Sequence, residues 1–368
     1  MTQTAGRTLV RGTAMVLGQG DPPARPDAPA RWRVVAPATP SRQYALNAVA
    51  AATETLAWAV GQTSDQPLIE RWDGARWTIV PCPPAPGTVG AALLGVTATA
   101  DEAIAVGGAY DRVAGVEVPL VRHWDGLSWT AADLGTGFVL TAIAGGSAGA
   151  WAVGHGFPHG GAVAGPVAAH WDGTAWNRVP VPGPPRGRLL AISAASPEDV
   201  WAVGATGPTG RRGANGPLVL HHDGTAWRQV PAPRADGPLT AVVAIGPRDI
   251  WAAGGSGLHH WTGRRWHRAD AGIASVNTLT ALSPTDVWAA GGNGELAHHD
   301  GKHWHRIVSP PPLTGSAVWL GSAAIRPGTV WMVGSMQSIE PDPPAPGTIS
   351  TEQTGPRGIP LPDRFPTP

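Results

Sequence analysis

Ser196-Pro197-Glu198-Asp199-Val200-Trp201-Ala202-Val203-Gly204, followed by His222-Asp223-Gly224-Thr225-Ala226-Trp227 and a run that stops at Pro231, is the stretch that decides the fold. It reads as short strands punctuated by turns. Pro197 presets φ for a turn, and Asp199 can bond its own backbone there. Trp201–Gly204 is a strand after that turn. Asp223-Gly224 is the dipeptide suited to a type I′ hairpin. Trp227 opens a further strand, and a proline at its outer end fits an edge that must not recruit another sheet. With the small alternating run Leu189–Ser196 in front, the unit has four strands, A to D.

The unit recurs. Trp-Ala-(Val/Ala)-Gly starts at Trp58, Trp151, Trp201, Trp251 and Trp288, with degenerate copies at Ile104 and Trp331; successive copies are 46, 47, 50, 50, 37 and 43 residues apart. The second element spans Trp72–Trp77, Trp124–Trp129, Trp171–Trp176, His222–Trp227 and His299–Trp304, and Trp261–Trp266 carries Thr262 in the Asp position. Four strands in about 45 residues, repeated seven times, predict an all-β, seven-bladed β-propeller. The copy at Trp331 has no downstream Asp-Gly-x-x-Trp, whereas Trp32-Arg33-Val34-Val35 looks like an orphan strand D. An N-terminal strand around Trp32 is therefore expected to close the last blade. Its strand C is either 348–353 or Thr8–Leu17, and the sequence does not choose. The expected organisation is an N-terminal extension over 1–31, the propeller over 32–354 and a Pro-rich tail over 355–368.

The chain resembles the Trp-Ala-Val-Gly-repeat propellers of actinobacteria, similar in general form to kelch and Asp-box propellers. The likeness implies the fold and little about function, because propellers host binding, scaffolding and several chemistries alike. An Asp-box keeps a residue between its Asp and Gly; here they are adjacent. Double glycines of the kelch kind occur only as Gly107-Gly108, Gly254-Gly255 and Gly291-Gly292.

Composition agrees with a packed β protein and excludes other classes. Of 368 residues, 50 are Gly and 39 Pro, which argues against long helices; 42% are hydrophobic, too many for plain disorder. The formal charge is zero, against bulk tracking of nucleic-acid phosphate. Cys82 is alone, which excludes an intramolecular disulfide and a Cys-based zinc site. No apolar run reaches the length of a membrane span, and a cytoplasmic monomer is expected. Eighteen Trp stand against three Phe and two Tyr. All but Trp319 fall at strand B, C or D positions, so they are read as mortar between blades, each worth about 1.5–3 kcal/mol of burial.

Function is sought where the copies differ. The B–C and D–A loops share one face. Blades 5 and 6 have tight B–C segments, Gly254–His260 and Gly291–His299; blades 2, 3 and 4 have long ones, Gly107–His123, Gly154–His170 and Gly204–His222, and blade 7 has Gly334–Gly347. Binding residues concentrate on such loops. In blade 3, His155, Phe157 and His159 offer two imidazoles and an aromatic ring; two His without a carboxylate do not make a metal site, so no metal or cofactor is expected. Arg211 and Arg212 of blade 4 form a possible anion clamp. Tyr110 of blade 2, and Tyr44 with Arg42 before strand A of blade 1, complete the candidate ligand contacts. His123, His170, His221, His260 and His298 recur beside the strand C position and are read as hydrogen-bonding parts of the repeat. The Asp of each Asp-Gly is read as turn chemistry.

No nucleophile elbow, phosphate loop or His-Glu metal motif is present. The expected function is non-catalytic binding or scaffolding, with a protein, peptide, glycan or small polar ligand on the loop face. The alternative is a lyase or cyclase of natural-product metabolism, with His155 or His159 as general base at the channel mouth. A sialidase would need an Arg triad and a supported Tyr, for which two tyrosines and no true Asp-box give little basis.

Overall fold

A computed structural model describes residues 7–17, 32–35, 38, 44–64, 66–146, 148–157, 165–207, 215–255, 257–307, 316–326 and 329–340. These residues form an all-β propeller with six complete four-stranded antiparallel blades and a seventh sheet. Blade 4 shows the plan: Arg188–Ser196, Asp199–Ala205, Pro217–His222 and Trp227–Gln229 run from the axis outward. In the seventh sheet the order from the outside is Trp32–Val35, Arg7–Leu17, Thr329–Glu340 and Ser316–Arg326. The neighbour of Thr329–Glu340 is therefore Arg7–Leu17, paired from Arg7↔Glu340 to Leu17↔Val330. Residues 348–353 lie outside the described set. Strand B here runs on to Glu340, where the sequence reads a Pro-rich loop from Gly334.

The glycine that ends each Trp-Ala-Val-Gly has a packing cause. Strand A carries a bulge one residue after Leu46, Leu93, Leu140, Leu189 and Leu239. The bulge pushes the preceding carbonyl toward strand B. A Cβ on Gly61, Gly107, Gly154, Gly204 or Gly254 would overlap the carbonyl oxygen of Ala45, Ala92, Val139, Arg188 or Pro238 respectively; in blade 6 a Cβ on Gly291 would overlap that of Ser275, just ahead of strand A. Close backbone approach at a bulge is the standard reason for glycine inside a strand.

The tryptophans do join the blades. Strand B indoles pack between the strand C and strand D aromatics of the next blade. Trp58 lies 5.0 Å from both Trp124 and Trp129. Trp151 meets His222 and Trp227, and Trp251 meets His299 and Trp304. Trp331 of the seventh sheet lies 5.1 Å from Trp72 and 5.0 Å from Trp77 of blade 1. Its neighbour Met332 packs with Trp288 and Leu296 of blade 6. Near the axis, side chains stitch neighbouring inner strands: Asn47 donates to the Leu93 carbonyl at 2.8 Å and Thr141 to the Leu189 carbonyl at 2.8 Å. The Ala244 amide donates to Ser193 Oγ at 3.0 Å.

Both turn types differ from the sequence reading in one detail. Trp72 faces Trp77, so Asp-Gly sits in a four-residue loop and not in a two-residue type I′ turn. Only its glycine has positive φ, as at Gly74 (+94°) and Gly224 (+85°). The Asp works by accepting from the amides two and three residues on, as Asp223 does from Thr225 and Ala226, both at 3.0 Å. The A–B turn aspartates face inward instead. Asp199 accepts from Trp201 Nε1 and lies 2.8 Å from His221 Nε2. Asp286 does the same with Trp288 and His298, and Asp249 bonds His260 at 2.7 Å. Each of these histidines also lies over its own blade's indole, most nearly parallel in blade 5, where His260 and Trp251 are 4.0 Å apart at 5°. His170 packs on Trp151 without such an acid, and in blade 1 Arg71 takes the place of the imidazole over Trp58.

Candidate functional site

Antiparallel order puts the A–B and C–D turns on one end of the disc and the B–C and D–A connections on the other. Where the inner strands meet lies a cavity of about 190 Å³, bordered by residues from Asn47 to Ser322. The residues at or beside the strand A bulges ring it, polar at Asn47, Thr141, Thr240 and Asn277 and apolar at Leu94, Leu190 and Leu320.

The long segment of blade 2 is a two-stranded ribbon rather than a loop. Ala103–Asp111 and Val116–Trp124 stay paired out to Asp111↔Val116. The Asp111 carboxylate accepts from the Val113 and Ala114 amides, and Gly115 takes φ +69°, which together close the tip. Gly108 lets the ribbon lean on blade 3, since a Cβ there would overlap Val139. A ladder of backbone bonds continues the contact: Gly137 donates to the Glu117 carbonyl at 2.7 Å, and Phe157 donates to the Gly137 carbonyl at 3.0 Å. Tyr110, opposite Glu117, is thus tied to Phe157 through three short steps.

The result is a shelf over blades 2 to 4. Val113 is 94% exposed at the ribbon tip, Tyr110 40% and Phe157 37%. His155 packs its ring 5.0 Å from Phe157. Burial, helped by the positive charge of Arg188, pushes its pKa down to about 4 from 6.5. Its buried Nδ1 has no hydrogen-bond partner. Arg188, at the start of blade 4, donates Nε to the Gly207 carbonyl at 3.3 Å. Burial also raises the pKa of Glu117. The shelf therefore exposes aromatic and apolar side chains, with a neutral imidazole packed on Phe157, suited to stacking and to hydrogen bonds with amide groups. As a base, His155 is weak, because an imidazole with so low a pKa holds a transferred proton poorly.

The expected contacts divide as follows. His155 and Phe157 pack together, and Tyr110 lies on the ribbon that the backbone ladder joins to them. Tyr44 does not: it is 8% exposed and packs with Leu46, Trp72 and Trp331 in the seam between blade 1 and the seventh sheet. Arg42, His159, Arg211 and Arg212 lie outside the described residues. Glu117, Gly137 and Arg188 belong to the shelf and were not legible beforehand, because each acts through a neighbour that only the register supplies. Among the described residues no group of three or more His, Cys, Asp or Glu is placed to hold a metal ion, and no helix is long and apolar enough to cross a membrane.

The fold and the loop face define a β-propeller. Among solved structures the chain resembles YCF48 bound to D1 peptide, with a TM-score of 0.52 and 16% identity over 83% of this chain and 99% of that one. It also matches YCF48 from Cyanidioschyzon merolae, with a TM-score of 0.46 and 15% identity over 74% of this chain and 84% of that one. The C-terminal WD40 domain of Sif2 matches with a TM-score of 0.46 and 10% identity over 81% of this chain and 96% of that one. No protein-family model and no curated protein matches the sequence.

Proposed function

We propose that this chain is a closed seven-bladed propeller, with Arg7–Leu17 and Trp32–Val35 completing the last blade, that binds an extended segment of a protein partner on its B–C/D–A face. Support for closure is the packing of the seventh sheet on both neighbours, through Trp331 against blade 1 and Met332 against blade 6. The observation that carries the binding reading is the stitched shelf, which holds Tyr110 and Val113 exposed on its ribbon and Phe157 exposed beside a neutral His155. Rigid aromatic anchors give contact area at little entropic cost. The YCF48 structure in complex with a peptide is a propeller of the same general form, which makes a peptide the first ligand class to try.

A peptide array probed with the purified chain tests the reading. Peptides captured by the wild type are expected to be lost by the Tyr110→Ala/Phe157→Ala double variant and kept by Leu127→Ala, which alters a residue 89% exposed on the opposite face. Capture that survives the double variant, or that falls only with Leu127→Ala, overturns it.

A further inference from the structure

Blades 5 and 6 can be compared position by position, and one carboxylate is missing. In blade 6 the outer-strand Arg306 pairs with Glu295, Nη2 to Oε1 at 3.0 Å. The other oxygen of that carboxylate accepts the Ala274 amide at 2.7 Å, so Glu295 ties the outer strand to the connection entering its blade. In blade 5 Leu258 faces Ala269 as Leu296 faces Ile307. Arg268 therefore stands where Arg306 does, and the residue in the place of Glu295 is Gly257. A Cβ on Gly257 would lie 3.9 Å from Arg268 Nη2. Among the described residues no carboxylate pairs with Arg268.

A cavity of about 530 Å³ opens at this spot, on the loop face between the two blades with tight turns. Ligand pockets commonly run from about 300 to 1,000 Å³. Its lining includes the half-buried Ile273 above the buried Leu258, Ala271 and Val276, with Arg268 and Asp236 beside them. No cation pairs with Asp236 among the described residues. The other carboxylate of the lining, Asp270, accepts the Gly272 amide of its own turn at 2.8 Å. Among the described residues of the lining, Arg268 is the only basic one.

We propose that this cavity binds a small zwitterion of the apolar amino-acid type, its carboxylate taking Arg268 in place of the glutamate that blade 5 lacks, its ammonium facing Asp236 and its side chain against Ile273. A guanidinium reads a carboxylate through parallel charge-assisted bonds, which fixes the orientation of the ligand as well as holding it. The site is separate from the shelf over blades 2 to 4 and does not depend on it.

Calorimetric titration of the full chain with leucine, isocaproate and isopentylamine tests the proposal. Leucine is expected to bind best, isocaproate, which lacks the ammonium, more weakly, and isopentylamine, which lacks the carboxylate, least. Arg268→Gln is expected to weaken leucine by about tenfold or more, and Asp236→Asn to bring leucine down to the level of isocaproate. Gly255→Leu is expected to fill the mouth and abolish binding while the thermal midpoint holds, since a Cβ there meets only the Asp236 carbonyl at 3.8 Å. The Tyr110→Ala/Phe157→Ala variant is expected to bind leucine as the wild type does. No heat with any of the three probes, leucine binding indifferent to Arg268→Gln, or isopentylamine as the best ligand overturns the assignment.

Discussion

At the scale of single residues, two features of the repeat make opposite demands on space. The glycine that ends strand B is there because a bulge brings a carbonyl into the volume a methyl group would fill. Gly204→Ala must push Arg188 and its strand away from strand B. It is expected to lower the free energy of unfolding by about 2 kcal/mol or more, the scale of overpacking in a rigid interior. Gly246→Ala is the control: no atom lies within 4 Å of its Cβ and its φ is not positive, so a change within about 0.5 kcal/mol is expected. Urea titrations of the two variants check this, and equal losses would sink the bulge explanation. Asp286 makes the other demand, for a polar partner. It is 6% exposed and accepts from Trp288 Nε1 at 2.8 Å while bonding His298 Nε2 at 2.9 Å. Asp286→Ala removes the carboxylate that the buried Trp288 indole and the partly exposed His298 share, and is expected to cost about 1–3 kcal/mol. Asp286→Asn keeps an acceptor for the indole and should lose distinctly less.

At the scale of elements, the seams explain what the sequence could and could not reveal. The spacing of Trp58, Trp151, Trp201, Trp251 and Trp288 was enough to count blades, because a large side chain at a fixed place in every copy is a direct trace of a repeated interface. The same trace explains His222 and His299, which fill a strand C tryptophan's place against Trp151 and Trp251. What the repeat could not supply was the partner of Trp331's strand. Arg7–Leu17 carries neither Trp nor Asp-Gly, so nothing in it ranks it above 348–353 until its register with Thr329–Glu340 is seen. The inward turn of Asp199, Asp249 and Asp286 was hidden for a similar reason. A turn aspartate looks alike whether it caps its own amides or reaches a histidine on strand C, more than ten residues away. Tyr44 was misplaced to the surface because strand A begins earlier than the small-residue run suggests. The contribution of Arg7–Leu17 yields a prediction. A chain starting at residue 18 leaves both Thr329–Glu340 and Trp32–Val35 without their neighbour, and is expected to lose a single cooperative melt. A chain ending at Glu340 is expected to keep it. The reverse outcome, followed by circular dichroism on heating, would return strand C to residues beyond Glu340.

At the scale of the whole molecule, the blades are uneven in their histidines, and this sets the response to acid. Burial is the first cause lowering the pKa of His155, His170, His222, His259 and His299 below 6.5. A neutral imidazole inside the fold gains a proton more readily once the chain unfolds. Below the unfolded value the unfolded state therefore binds more protons, and stability falls as pH drops through 6.5 toward the folded values. The turn carboxylates act in the same direction further down. Backbone and side-chain hydrogen bonds hold Asp172, Asp223 and Asp300 below 3.8, so their contribution is present above that value and is lost as acid titrates them. The melting midpoint is thus expected to fall steadily from pH 7 to pH 4, the histidines accounting for the upper part of the fall. The ring supplies its own test of that part. His259 is 3% exposed with Nε2 unpartnered, and Leu220 fills the equivalent place in blade 4, as the shared register of Leu220↔Gln229 and His259↔Arg268 shows. His259→Leu removes a buried group that must charge on acid unfolding and leaves a side chain the same blade geometry already accommodates. The variant is expected to melt higher than the wild type at pH 5 and to show a shallower slope between pH 7 and 5. A slope unchanged by His259→Leu, or a midpoint that rises on acidification, would show that buried imidazoles do not govern the acid limb.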